Sequence, residues 1–199
     1  MSYSIMIVGV GGQGVLLASR VLGECAMRSG QKVALSEVHG MAQRGGSVTA
    51  LVRFGEEVLS PLIPKGGADL IVGFEPVETY RALPYANRGT LIVTDVRPLV
   101  PMTVTSGNEA YPEVEALLRG MREAGLRVIP IEASRLAEEA GARVTVNSVL
   151  IGAISALGSF PLQAELLHAT LISSVPERAR DQNEKAYQLG RKAAMNGPG

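Results

Sequence analysis

The stretch GVGGQGVLLASR, from Gly9 to Arg20, follows directly on the apolar run Ile5–Val8 and decides the fold. Its glycines at positions 9, 11 and 14 have the spacing Gly-x-Gly-x-x-Gly. Between a buried strand and a helix, this spacing is typical of the phosphate-binding turn of dinucleotide-binding folds. The sequence therefore predicts a Rossmann-like α/β fold, and it raises the question of what the turn binds.

The residues after the turn provide the context that such a motif requires. Apolar residues at helical spacing predict a helix from about Gly12 to Arg28, which Gly30 ends. Lys32–Ser36 is predicted to be the second strand, so the motif lies in a βαβ unit. Glycines permit close backbone approach, and amides at a helix start attract an anion. The same glycines would also serve tight packing without a ligand, and both interpretations stay open.

The regular alternation then stops and later resumes. Glu37–Gly46 (EVHGMAQRGG) is predicted to be a loop, and Ser47–Phe54 a strand that turns back toward Val58–Leu59 as a hairpin insertion. Further strands are predicted at 69–74, 90–95 and 126–131, and helices at 77–86, 112–124 and 133–140. The chain reads as helical from 147 to about 195. We therefore expect a single domain over residues 1–199, with a doubly wound, mostly parallel sheet and a helical C-terminal region.

Composition excludes several classes of function. The 19 basic and 19 acidic residues balance and form no basic stripe, so neither nucleic acid nor an anionic membrane is an expected partner. The single cysteine, Cys25, excludes an internal disulfide and an iron–sulfur cluster held by this chain alone, and we expect it to pack inside the protein. No metal-ligand spacing is present. Without a leader pattern or a long apolar stretch, the expected location is cytoplasmic.

Two groups of polar residues lie where open α/β sheets place ligands, beyond the carboxyl end of a strand. Glu37 follows the second strand, at the place of the acidic residue that binds the ribose in NAD enzymes. His39, Gln43 and Arg44 add a titratable group, an amide and a permanent cation. Arg44 has glycines beside it, so its planar guanidinium would reach a phosphate or carboxylate unhindered. Solvated loop residues without a ligand are an equal alternative, and the residues alone do not decide between the two.

Four stretches together resemble one family. They are GVGGQGVLLASRVLGECA (9–26), SEVHGMAQRGGSV (36–48), SPLIPKGGADLIVGFEPVETYRAL (60–83) and NEKAYQLGRKAA (183–194). They are similar to the small (beta) subunits of indolepyruvate:ferredoxin oxidoreductases, which are gamma-type domains of the 2-oxoacid:ferredoxin oxidoreductase family. The resemblance runs from about Ile5 to Ala194, and HGMAQRGG favours the aryl-pyruvate branch. One departure is Asp95-Val-Arg97-Pro98, where relatives are expected to have an asparagine-rich turn.

The resemblance implies a division of labour. The family decarboxylates a 2-oxoacid on thiamine diphosphate, passes electrons through iron–sulfur clusters to ferredoxin, and releases an acyl-CoA. It implies that a large partner subunit holds those cofactors. It also implies that this chain is inactive alone and contributes no catalytic residue, but assists coenzyme A binding and completes the partner's active site. The alternatives are a self-sufficient NAD or flavin oxidoreductase and a purely structural module. The expected binding residues are Gly9, Gly11, Gly12, Gln13, Gly14, Glu37, His39, Gln43, Arg44, Gly45 and Gly46.

Overall fold

A six-stranded sheet forms the centre of the protein. The computed structural model describes residues 2–39, 45–99 and 110–196, with His39 described by its backbone only. The strand order is β2-β3-β1-β4-β5-β6. Strands β1, β4, β5 and β6 are parallel, whereas β3 runs antiparallel to both of its neighbours, β1 and β2. The strands are β1 (Ser2–Val10), β2 (Val33–His39), β3 (Ser47–Gly55), β4 (Leu70–Gly73), β5 (Leu91–Asp95) and β6 (Arg127–Ile131).

Helices cover both faces of this sheet, so the predicted doubly wound architecture is confirmed. Alternate residues of β1 point to opposite faces: Ile5 and Ile7 join the larger core, whereas Met6 and Val8 join the smaller one. The helices are α1 (Val15–Arg28), α2 (Pro76–Arg81), α3 (Val114–Glu123), α4 (Ala133–Glu139), α5 (Val146–Ser155), α6 (Ala164–Ser174) and α7 (Arg180–Asn196). Helix α3 contributes Met121 to the smaller core, and Ala82, the C-cap of α2, also belongs to it. Helices α1, α4, α5, α6 and α7 contribute to the larger core. Within the described ranges, no helix is both long and apolar enough to cross a membrane.

The predicted hairpin insertion has a different partner from the one expected. Strand β3 pairs along its length with β1 on one side and β2 on the other, and Val58–Leu59 forms no strand. Six of the nine residues of β3 are buried, which suits a strand inside the sheet. Two residues at Val58–Leu59 would have left most of its backbone groups unpaired. The βαβ unit is thus split, because β3 occupies the place beside β1.

Two predicted boundaries also move. Helix α1 begins at Val15, not Gly12, because Gly12 and Gly14 have φ angles of 99° and 89°, which a right-handed helix excludes. Strand β2 extends to His39, so the first three residues of the predicted loop belong to the strand. Their backbones pair with β3, a partner that the local sequence does not reveal.

The helical C-terminal region is confirmed and packs closely. Every residue of α5 from Val146 to Ile154 is buried, as is the Cys25 side chain of α1. Helices α5 and α7 touch through two glycines. A Cβ atom on Gly152 would lie 2.0 Å from the Tyr187 carbonyl oxygen, and one on Gly190 would lie 1.9 Å from that of Val149. No real Cβ tolerates such distances, so only glycine allows this approach.

Candidate functional site

A cleft of about 260 Å³ lies at the carboxyl edge of the parallel strands. Open α/β sheets place their ligands at this edge. The cleft is built from the glycine loop after β1, the turn after β5, the start of α4 and the short 3-10 turn before α5. Its lining residues are Gly11, Gly12, Gln13, Arg97, Pro98, Leu99, Ser134, Arg143, Val144 and Val146.

The glycine loop presents its backbone to this cleft. Gly14, in the left-handed conformation, is the N-cap of α1, and as a glycine it has no side chain to cap the first amides. Uncapped amides at a helix start are the groups that bind anions. The Gly11 amide donates a hydrogen bond of 2.9 Å to the Gly46 carbonyl oxygen. The structure therefore brings two of the predicted segments together, the glycine loop and the pair Gly45–Gly46.

Two predicted binding residues have structural contacts. The Gln13 Oε1 atom accepts a hydrogen bond from the Val10 amide at 2.7 Å, and its Nε2 donates to the Phe74 carbonyl oxygen at 2.8 Å. Gln13 therefore braces the loop against the end of β4. A Cβ atom on Gly9 would lie 2.7 Å from the Cβ of Phe74, so Gly9 is required for packing. The packing interpretation of the motif thus applies to Gly9, while Gly12 and Gly14 shape the turn.

The remaining predicted residues lie in β2 and in the segment of sequence after it. Glu37 Oε1 accepts a hydrogen bond from the Ser19 hydroxyl at 3.2 Å and lies 3.8 Å from the Arg20 Nε atom. Glu37 does not line the cleft, since β3 separates β2 from β1. His39 ends β2. Its side chain, like all of Gln43 and Arg44, lies outside the described residues.

Two arginines that the sequence reasoning did not select also line the cleft. The Arg97 guanidinium pairs with Glu138 at 2.5 Å. Arg143 is exposed, and no described carboxylate lies within ion-pair distance of it. Arg97 follows β5 directly, so its place at a strand end could have been noticed. Arg143 comes from a turn between two helices and gives no local signal.

A buried carboxylate supports this wall of the cleft. Asp95 accepts hydrogen bonds from the Ser134 hydroxyl at 2.5 Å, from the Ser134 amide at 3.2 Å and from the Arg97 amide at 3.3 Å. Burial raises the pKa of Asp95, and these hydrogen bonds oppose that shift only in part. Asp95 thereby fixes the start of α4 and the backbone of Arg97.

A second buried carboxylate, Glu75, was also missed. It precedes α2 and accepts hydrogen bonds from the Glu78 amide at 2.9 Å, the Leu99 amide at 3.3 Å and the Tyr111 hydroxyl. Burial and the hydrogen bond to Glu75 raise the pKa of Tyr111. Glu75 thus connects the start of α2 to the backbone of a residue that lines the cleft.

The groups that line the cleft are of the kind that suits an anion. The Ser134 hydroxyl donates to Asp95, and the two arginines stay protonated in proteins. Among the described lining residues there is no histidine, cysteine or lysine to act as base or nucleophile. The described lining of the cleft therefore offers positive charge and backbone, and no group suited to act as base or nucleophile.

Comparison with known proteins agrees with this architecture. A family model described as pyruvate ferredoxin/flavodoxin oxidoreductase matches residues 4–193. Indolepyruvate oxidoreductase subunit IorB of Thermococcus kodakarensis is 46% identical over 193 residues, which cover 96% of each chain. This relative of the chain is thus a subunit of an oxidoreductase.

Two solved structures share the fold. The gamma subunit of a keto/oxoacid ferredoxin oxidoreductase from Geobacter sulfurreducens has a TM-score of 0.70 at 23% identity, with 97% of this chain and 98% of that chain covered. The 2-oxoglutarate:ferredoxin oxidoreductase of Magnetococcus marinus, solved with 2-oxoglutarate, coenzyme A and succinyl-CoA bound, has a TM-score of 0.71 at 22% identity. The match covers 98% of this chain and 31% of that one, so there the fold is part of a longer chain.

Proposed function

The chain belongs to the pyruvate ferredoxin/flavodoxin oxidoreductase family, and we propose that it is the small subunit of an indolepyruvate:ferredoxin oxidoreductase. Such an enzyme oxidatively decarboxylates an aryl 2-oxoacid to an acyl-CoA. In this proposal a large partner subunit holds thiamine diphosphate and the iron–sulfur clusters and passes electrons to ferredoxin. This chain binds part of coenzyme A and completes the partner's active site. Full-length identity of 46% to an indolepyruvate oxidoreductase subunit supports the assignment.

The observation that carries the role in coenzyme A binding is the cleft with two arginines facing the glycine loop. Coenzyme A bears several phosphates, and a guanidinium fork matches phosphate geometry. Amides at the start of α1 add donors for the same kind of anion. The cleft volume of about 260 Å³ is slightly smaller than that of typical small-molecule pockets, about 300–1,000 Å³. The cleft therefore suits a phosphate-bearing part of coenzyme A, while the rest lies against the partner.

In this proposal the binding residues act in two ways. Gly12 and Gly14 expose backbone donors, Gly11 holds the loop against Gly46, and Arg97 and Arg143 supply charge. From the sequence, Arg44 is proposed to bind a coenzyme A phosphate or an acidic group of the large subunit, with His39, Gln43 and the pair Gly45–Gly46 beside it. Gln13 and Gly9 keep the loop in shape.

The geometry weighs against the alternative of an NAD enzyme. The ribose-binding acid of such enzymes ends the strand beside β1. Here β3 lies between, and neighbouring strands are about 4.8 Å apart, so Glu37 is displaced from the glycine loop by one additional strand. Its carboxylate also contacts α1 through Ser19. No observation in the described residues favours nicotinamide or flavin binding over the subunit role.

Reconstitution tests the proposed function. The chain and its large subunit are purified separately, and reduction of ferredoxin or a viologen dye is followed with indolepyruvate and coenzyme A. Neither subunit alone is expected to turn over, and mixing should restore coenzyme A-dependent activity. Stoichiometric flavin, or micromolar NAD affinity, in the isolated chain would overturn the proposal in favour of a self-sufficient oxidoreductase.

Arginine substitutions test the cleft itself. In the assembled enzyme, Arg143→Ala is expected to raise the apparent KM for coenzyme A by about tenfold or more, because a charge-assisted hydrogen bond contributes about 1.5–3 kcal/mol. Stability should hardly change, since Arg143 is exposed. Arg44→Ala should act in the same direction, with partial rescue by lysine. The control is Arg122→Ala, because Arg122 does not line the cleft and its helix, α3, packs on the smaller core. An unchanged KM in Arg143→Ala would remove the cleft from coenzyme A binding.

A further inference from the structure

We propose that Glu75 is a positioning residue for the cleft, through the backbone of Leu99. The proposal rests on the proposed function of the cleft as a site for part of coenzyme A. Glu75 itself does not line the cleft. Its carboxylate instead sets the place of the wall opposite the glycine loop, which Arg97, Pro98 and Leu99 form.

The contacts of Glu75 come from three separate segments. Only 2% of its surface is exposed. One carboxylate oxygen accepts from the Glu78 amide at 2.9 Å, within α2. The other accepts from the Leu99 amide at 3.3 Å and from the Tyr111 hydroxyl, whose residues lie 24 and 36 positions further along the chain. A buried carboxylate is tolerated only with such donors, so its place dictates theirs.

Capping of α2 does not by itself explain a glutamate here. Aspartate, asparagine and serine are the preferred residues at the N-cap, because a short side chain suffices to reach the amides of the first turn. The longer side chain of Glu75 reaches the Leu99 amide as well. The additional methylene therefore connects the helix start to the cleft wall.

The cleft wall formed by Arg97, Pro98 and Leu99 is held at both ends, so loss of one contact should have a limited effect on coenzyme A binding. Asp95 and Glu138 fix Arg97 from one side, through its amide and its guanidinium. Glu75 fixes the Leu99 end. Loss of the Leu99 contact should therefore loosen the wall without removing Arg97. We expect a rise in the KM for coenzyme A of about two- to tenfold, the equivalent of one ordinary hydrogen bond.

Two substitutions separate the two tasks of Glu75. Glu75→Asp keeps the charge and the cap of α2 but is too short for Leu99. Glu75→Gln keeps the length of the side chain. Its one oxygen is expected to accept from the two donors Leu99 and Tyr111, so no oxygen is left to cap the Glu78 amide at the start of α2. Glu113→Asp, the same change at an exposed residue that precedes α3 and makes no capping hydrogen bond, is the matched control.

The experiment has one readout in each form of the protein. Hydrogen exchange of the Leu99 amide is measured in the full chain alone, and the KM values for coenzyme A and 2-oxoacid and the kcat are measured in the assembled enzyme. Glu75→Asp should speed the exchange and raise the KM for coenzyme A, with kcat and the KM for the 2-oxoacid unchanged. Glu75→Gln should lower the melting temperature while that KM stays near the wild-type value.

Each variant decides by itself, even where the other fails to fold. The positioning role would be overturned if Glu75→Asp leaves the exchange of the Leu99 amide unchanged. It would also be overturned if Glu75→Gln raises the KM for coenzyme A, because loss of the charge and not of the Leu99 contact would then be responsible. If Glu75→Asp speeds exchange yet leaves the KM unchanged while Arg143→Ala raises it, Glu75 is structural and the proposed function stands. If neither Glu75→Asp nor Arg143→Ala changes the KM for coenzyme A, the proposed role of the cleft in coenzyme A binding fails.

Discussion

Glycines serve opposite purposes in two regions of this protein, the contact between α5 and α7 and the loop after β1. At Gly152 a Cβ atom would lie 2.0 Å from a backbone oxygen, whereas at Gly12 it would meet nothing within 4 Å. Gly12 is instead set apart by its φ angle of 99°. Space requires the first glycine and backbone conformation requires the second. The first region holds two helices together, and the second shapes the turn at the sheet edge where the proposed ligand site lies.

The largest effect is expected from Gly152→Ala. The added methyl group would overlap the Tyr187 carbonyl oxygen, so α5 and α7 must separate along a fully buried contact. Overpacking of a core costs about 1–3 kcal/mol, and this overlap with backbone should reach the upper end. The better helix propensity of alanine, worth about 1 kcal/mol, offsets part of it. Urea unfolding followed by circular dichroism measures the change.

Gly158→Ala is the matched control for that substitution. Gly158 has no atom within 4 Å of a built Cβ and no positive φ angle, so alanine should be neutral or slightly stabilising there. If Gly152→Ala proves as stable as Gly158→Ala, close approach is not the reason for glycine in α5.

A smaller effect is expected at Gly12. Alanine has open space there but must adopt a left-handed backbone, at a cost of about 1–2 kcal/mol. Gly12→Asn should cost less than Gly12→Ala, because asparagine tolerates positive φ better. The free energy of unfolding tests this order. A larger loss in Gly12→Asn than in Gly12→Ala would mean that bulk, and not backbone conformation, determines position 12, and the contrast with Gly152 would disappear.

The same contrast explains what the sequence could predict. Periodicity and the glycine spacing act over a few residues, and they correctly predicted the helices, the parallel strands and the turn at the sheet edge. The placement of β3 depends on pairing with strands that are distant in sequence, so the hairpin partner was wrong. Gln13 illustrates the limit within the motif itself, since the oxygen that receives its side-chain hydrogen bond belongs to Phe74, 61 positions away.

The cleft was predictable only in part for the same reason. The glycine loop and the edge of the sheet follow from local sequence, but the arginines that face the loop come from residues 97 and 143. Arg143 reaches the cleft because a 3-10 turn joins α4 to α5 at that edge. Nothing in the sequence near Arg143 indicates this, since the arrangement depends on how three helices pack on the sheet.

The smallest effect on the free energy of unfolding is expected for Asp95→Asn. Whether this effect increases or decreases with pH distinguishes a positioning role of Asp95 from a stabilising one. Burial raises the pKa of Asp95 above its unfolded value of about 3.9. The folded protein therefore holds this proton more tightly than the unfolded chain, and stability contributed by Asp95 is lost as pH rises from the unfolded to the folded pKa. Asp95→Asn removes this dependence while its oxygen still accepts from Ser134.

The free energy of unfolding of Asp95→Asn minus that of the wild type should thus increase as pH rises above about 4, and then level off. Urea unfolding at a series of pH values measures this difference, and Asp181→Asn, at an exposed position in the first turn of α7, controls for the loss of a carboxylate. A difference that decreases with rising pH would show that the donors at Ser134 and Arg97 outweigh burial. Asp95 would then stabilise the fold as an anion. The carboxyl edge of the sheet would then, like the α5–α7 contact, contribute to stability. The expected increase instead means that the protein keeps a buried carboxylate at a cost in stability, because it holds Arg97 and the start of α4 at the cleft.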